Sequence, residues 1–163
     1  MSSPETLTED IAARLAQVEA TLPAPPLPLG SYVAVTRVGN LLYTSGVLPM
    51  QEGRVAYTGA LGGWDATADK GREAARLCAL NALSLVRHEL GSLQRVQRVV
   101  KVTGFVSSAP DFFEQPAVIN GASDFLVETF GDAGRHVRSA VGVAALPANA
   151  SVEIEFVLEI KPD

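Results

Sequence analysis

Leu7, Ile11, Leu15, Val18 and Leu22 recur three and four residues apart, the spacing that gathers apolar side chains on one face of a helix. Thr6 and Glu9 stand at capping-box spacing for its start. Pro23, Pro25, Pro26 and Pro28 then remove backbone donors and hold the residues before them extended, so the helix must stop near Leu22 and pass into a stiff connector. From Tyr32 the pattern becomes strand-like. Strands are predicted over 32–38 and 41–45, separated by Gly39-Asn40, a dipeptide that tolerates the positive φ of a two-residue hairpin turn. A short strand over 54–57 follows the turn residues Glu52 and Gly53, and a loop with Gly59, Gly62 and Gly63 leads into the longest helix, over 67–90. That helix carries Ala75, Cys78, Ala82, Leu85 and Leu90 on one stripe and stops at Gly91. Val96, Val100, Val102 and Val106 predict a following strand. A second helix over 111–129 contains Pro116, a predicted break, and ends at Gly131 and Gly134.

The last third reads as a hairpin of strands 136–146 and 151–160 around a turn at 147–150. Val152, Ile154, Phe156, Leu158 and Ile160 alternate with Ser151, Glu153, Glu155, Val157 and Glu159, so one face of this strand belongs to a core. Strands that cross over through helices predict an α+β sandwich with its helices on one face. The other face is left uncovered. Val99 and Phe105 alternate with Val100 and Val102, and Ala140, Gly142 and Ala144 with Val141 and Val143, so a lone subunit would expose apolar surface that symmetric association would cover. Residues 1–29 read as an N-terminal helix and connector appended to a single domain over 30–163.

The 163 residues, 47% hydrophobic and 19% charged, suit one folded domain. A net charge of −5 opposes binding to a phosphate backbone, which argues against nucleic acid as a partner. Cys78 is alone and can close no internal disulfide. No apolar run approaches the ~20 residues of a membrane span, and Glu5, Glu9 and Asp10 have the wrong sign for a targeting peptide, so a cytoplasmic protein with no membrane association is expected.

The segments Gly30-Ser31-Tyr32-Val33, Gly39-Asn40-Leu41-Leu42-Tyr43-Thr44-Ser45-Gly46 with Pro49, the strand over 99–106, Val137-Arg138-Ser139-Ala140 through Leu146-Pro147, and Val152-Glu153-Ile154-Glu155 together resemble the RidA/YjgF family. The resemblance spans about 30–160 and lies in the order and spacing of these motifs. It implies a chorismate-mutase-like fold, a mixed sheet with two main helices on one face, and a homotrimer whose sheets form an inner barrel with clefts between subunits. It also implies an enamine/imine deaminase that needs no cofactor or metal, a hydrolase converting 2-aminoacrylate-like 2-imino acids to 2-oxo acids and ammonia.

A guanidinium fork suits the carboxylate of a small 2-imino acid and keeps its charge near neutral pH. Arg138 stands at the position of the family's carboxylate-binding arginine; its bland reading is a solvated strand arginine paired with an acid. Glu153 matches the family glutamate that, with a backbone carbonyl, holds the attacking water. Partial desolvation in a cleft would raise its pKa toward proton-shuttling range, whereas a plain rim glutamate is the alternative. Tyr32 corresponds to a cleft residue that stacks on or hydrogen-bonds the ligand, or else merely covers a sheet edge. Ser45 and Gly46 offer a hydroxyl and an N–H to the carboxylate, or else form a strand-end turn. Ala140 stands where many deaminase members carry cysteine and would contribute its backbone carbonyl. Asn120 matches the family's helix asparagine, after an inserted Glu114-Gln115-Pro116. His136 and Val137 replace the Pro-Ala common before the arginine, placing His136 at the cleft rim, while His88 is expected in solvent.

Two other functions remain open at this stage. One is a non-catalytic small-carboxylate binding or sensing protein that uses the same Arg138 cleft. The other is the endoribonuclease or translation-inhibitor role proposed for some relatives, which the net charge and the lack of an aromatic-basic strip disfavour.

Overall fold

The computed structural model describes residues 4–63 and 67–162, with side chains from Asp10 onward; Leu7 and the capping pair Thr6 and Glu9 therefore lie outside the described side chains. Helix α1 (Pro4–Thr21) leads through the proline connector to β1 (Val35–Val38) and β2 (Leu41–Thr44). These pair antiparallel with Val38 opposite Leu41, so the Gly39-Asn40 hairpin forms as the sequence predicts. The first strand is shorter than expected, because residues 29–32 bend instead of extending. Strands β3 (Met50–Gln51) and β4 (Arg54–Val55) form a separate two-stranded ribbon whose turn residues, Glu52 and Gly53, both have positive φ.

Helix α2 (Ala68–Leu90) is bounded by local chemistry. Thr67 Oγ1 accepts from the Lys70 amide at its start, and Gly91 closes its end in the left-handed region at φ 79°. Strand β5 (Val96–Ser107) follows. Helix α3 (Gln115–Phe130) begins later than predicted, with Pro116 in its first turn. The proline starts this helix and does not break it, since a first-turn N–H has no intrahelical acceptor to lose.

The predicted C-terminal hairpin does not form. Strand β6 (Val137–Val143) runs parallel to β5 at the sheet edge, and β7 (Val152–Ile160) enters the middle, antiparallel to both β2 and β5. The five-stranded order is β1-β2-β7-β5-β6. A β5-α3-β6 crossover requires parallel strands, and β7 carries the alternating apolar face that a central position needs. Val152, Ile154, Phe156, Leu158 and Ile160 are buried beneath α2 and α3 with Val99, Val102, Val106 and Ile119. The helices thus cover one face of a mixed sheet. The other face carries Val38, Tyr43, Val137 and Val141 exposed.

Helix α1 joins the same core. Leu15 is buried in it, with Ile11, Val18 and Leu22 packed alongside. Arg14 Nη1 donates to the Glu128 carbonyl of α3 at 3.2 Å, and Glu19 Oε1 accepts from the Leu93 amide at 2.5 Å and Ser92 Oγ at 2.9 Å. Among the described residues, no helix is long and apolar enough to cross a membrane.

Candidate functional site

Two clusters collect the residues singled out from the sequence. The first lies between β6 and α3. Strand alternation turns Arg138 and Ala140 toward α3, where Asn120 and Ser123, three residues apart, share a helix face. Arg138 Nη1 donates to Asn120 Oδ1 at 2.8 Å and Ser123 Oγ at 3.0 Å, and Nη2 donates to the Pro116 carbonyl at 3.2 Å. Three of the five guanidinium N–H bonds are thus held by neutral oxygens. The Nε–H and one Nη2–H remain. Among the described residues Arg138 has no acidic partner, so the expected bland reading, a strand arginine in an ion pair, is not what is observed. Ala140 packs against the core at the same strand face, pairing with Gly104.

His136 belongs to this cluster. Its Nδ1 lies 2.6 Å from the Gly134 carbonyl, which can only accept, so Nδ1 carries the proton and Nε2 accepts from Ser123 Oγ at 3.0 Å. Ser123 therefore hands its proton to His136 and its lone pair to Arg138. Burial lowers the His136 pKa; the Gly134 hydrogen bond works against this, and the Arg138 charge adds to it. The lowered pKa favours the neutral imidazole, the form in which Nδ1 keeps the proton and Nε2 accepts from Ser123. Ser123 was missed from the sequence, although its place one turn after Asn120 was a usable signal.

The second cluster surrounds Glu153. The chain after β2 turns at Ser45-Gly46 and re-enters the sheet by a bridge between Val47 and Ile154, so Gly46 lies directly against Glu153. A Cβ at position 46 would collide with that carboxylate in its present position and displace it. Burial, and then the neighbouring charge of Glu155, push the Glu153 pKa up from the ordinary carboxylate value. Glu153, Ser45, Gly46 and Tyr32 line one pocket of about 600 Å3. Tyr32 is half exposed, and its Oη accepts from the Leu29 amide at 3.1 Å, tying the connector to the pocket. Cys78 lies fully buried under Val152, and burial pushes its thiol pKa well up, so it has no thiolate to offer as a nucleophile.

Within one chain the clusters do not meet. Arg138 leaves β6 on the helix-covered face, whereas Glu153 leaves β7 on the opposite face, opposite Phe105 of the intervening β5. One cluster offers a guanidinium held by neutral oxygens, the other a carboxylate of raised pKa beside a wide pocket. Among the described residues, no group of three or more His, Cys, Asp or Glu side chains could hold a metal ion.

Comparison with known proteins places these features in a family. A model described as "YjgF/chorismate_mutase-like, putative endoribonuclease" matches residues 12–160. Protein TCP17 of Trypanosoma cruzi is 44% identical over 151 residues, covering 92% of this chain and 94% of the relative. The 2-iminobutanoate/2-iminopropanoate deaminase of Dermatophagoides farinae is 32% identical over 140 residues, covering 85% and 93%. Among solved structures, the protein Atu1372 of unknown function from Agrobacterium tumefaciens superposes with a TM-score of 0.84 at 46% identity, covering 96% of each chain.

Proposed function

Because the chain belongs to the RidA/YjgF family, we propose that it hydrolyses 2-imino acids to 2-oxo acids and ammonia, in a site built by the Arg138 cluster of one subunit and the Glu153 cluster of another. The observation that carries this reading is the state of Arg138. A half-buried guanidinium oriented by Asn120, Ser123 and Pro116, with no acid beside it among the described residues, is open to an anion. The two N–H bonds left over suit a carboxylate. The deaminase relative supplies the reaction class.

In the proposed reaction the substrate carboxylate sits on Arg138. A water held by Glu153 adds to C2 of the imine; its oxygen forms the new C–O bond while a proton passes to Glu153 and the C=N electron pair moves to nitrogen, which is protonated in turn. The tetrahedral intermediate then expels ammonia as the C=O bond forms. One water is consumed, and no oxidant or metal is required. An enamine such as 2-aminoacrylate enters as its imine tautomer, by proton transfer to C3. The raised pKa of Glu153 favours its dual role as acceptor and donor.

Opposite strand faces keep the two clusters apart in one chain, so the reading requires association. A homotrimer that packs the open sheet faces into an inner barrel would bring them together and cover Val137 and Val141.

The test is imine hydrolysis with freshly generated 2-aminoacrylate, together with affinity for a 2-oxo acid. Arg138→Ala should lose both, with Arg138→Lys falling between it and the parent, because an ammonium keeps the charge without the planar fork. Glu153→Gln should retain binding while hydrolysis falls about 100-fold or more. An Arg138→Ala variant that matches the parent in both measurements would sink the assignment. Binding without any turnover by the parent would favour the carboxylate-sensing alternative.

A further inference from the structure

We propose that the end of the proline connector, residues 26–29, forms the side-chain wall of the Glu153 pocket and selects 2-imino acids with large apolar side chains over three-carbon ones. This rests on the imine-hydrolysis reading and names its substrate class.

Size is the first argument. The half-open pocket beside Glu153 has a volume of about 600 Å3, within the ~300–1,000 Å3 that accommodates drug-sized ligands. A three-carbon imino acid would leave most of it to water. The connector residues Pro26, Leu27, Pro28 and Leu29 line this volume together with Glu153.

Lining is the second. Leu27, Pro28, Leu29, Val33, Leu48 and Leu85 line the space beside the polar side chains of Ser45, Tyr32, Glu153 and Glu155. Leu29 and Val33 are 62% and 69% exposed, so apolar surface there is available for a ligand to cover.

Anchoring is the third. Ser84 Oγ of α2 donates to the Pro23 carbonyl at 2.5 Å, and the Leu29 amide donates to Tyr32 Oη at 3.1 Å, so the connector is fastened on both sides of Pro25, Pro26 and Pro28. Prolines restrict φ, so the fastened segment has little freedom left to lose when a ligand settles on it. A rigid wall of this kind discriminates by side-chain length.

Two measurements on the full-length protein separate this inference from the reading beneath it. Imines generated in situ from alanine, leucine and phenylalanine by an amino-acid oxidase would be followed by loss of their semicarbazide-trappable signal. Binding of pyruvate and 4-methyl-2-oxopentanoate would be measured by calorimetry. The parent should show at least a tenfold higher kcat/KM for the leucine-derived imine than for the alanine-derived one, and a matching preference in binding. Leu29→Ser, an exposed substitution, should cut that ratio several-fold, and Val33→Ser provides a second variant at an independent point on the wall. Equal or better use and binding of the three-carbon compounds overturns the wall while leaving imine hydrolysis intact. Preferential binding of the longer 2-oxo acid with no hydrolysis of any imine supports the wall and overturns the hydrolytic reading. An unchanged ratio in both serine variants also overturns the wall.

Discussion

Glu153 couples the candidate chemistry to stability through one proton. Burial raises its pKa in the folded chain above that of the unfolded chain, so the folded state binds this proton more tightly. Stability contributed by Glu153 is therefore greatest below the unfolded value and falls as pH rises from there through the raised folded value. Glu153→Gln removes that loss. The variant should melt higher than the parent at pH 7.5, by on the order of 1–2 °C, and level with it at about pH 3, well below the unfolded carboxylate value, where the glutamate is neutral in both the folded and the unfolded chain. Melting curves at the two pH values decide this. An equal offset at both would mean that packing against Gly46, rather than charge, governs the change. The carboxylate proposed as the proton carrier is thus held at a small stability disadvantage, as partly desolvated functional groups commonly are.

At the scale of elements, α1 is the test of how far the core extends. Leu15 is buried against α3 and the turn before β5, and its truncation to alanine should destabilise the chain by about 2–4 kcal/mol, read as a shift in urea midpoint at unchanged slope. A cost below about 0.5 kcal/mol would mean that α1 is not held on this core in solution. What the sequence made legible here was local. Thr67 and Gly91 bracket α2, and Gly39-Asn40 turns β1 into β2, because caps and tight turns are decided by a few neighbouring residues. Pairing between distant strands was not legible: the two C-terminal strands look like a hairpin, and only the crossover through α3 and the apolar face of β7 explain why β5 separates them. Pro116 carried the right identity and the wrong consequence, since a first-turn proline and a helix-breaking one look alike until the helix start is known. Arg138, Asn120 and Glu153 were singled out by motif, and the structure brings Arg138 and Asn120 into contact. Ser123 escaped because its role exists only through two partners on another element.

For the whole molecule, the separation of the two clusters by β5 makes a prediction that neither cluster makes alone. If active sites join Arg138 of one subunit to Glu153 of the next, then Arg138→Ala and Glu153→Gln chains, each inactive, should restore activity when unfolded together and refolded as mixed trimers. Roughly a quarter of the sites would be intact by random assortment. Light scattering should give a trimer for each variant and for the mixture. No recovery from mixed trimers would place the reacting groups within one chain or elsewhere. The position of β7 has a further consequence, for the order of folding. Among the described residues it is the last strand in sequence and joins β1-β2 to β5-β6, with the Phe156 amide donating to Thr44 Oγ1 across 112 positions of chain. Until that strand arrives, a nascent chain holds two half-sheets with open inner edges. Such distant closure is slow, and exposed edges invite wrong pairing, so synthesis of this protein passes through a stage at which a chaperone has a strand-shaped gap to guard.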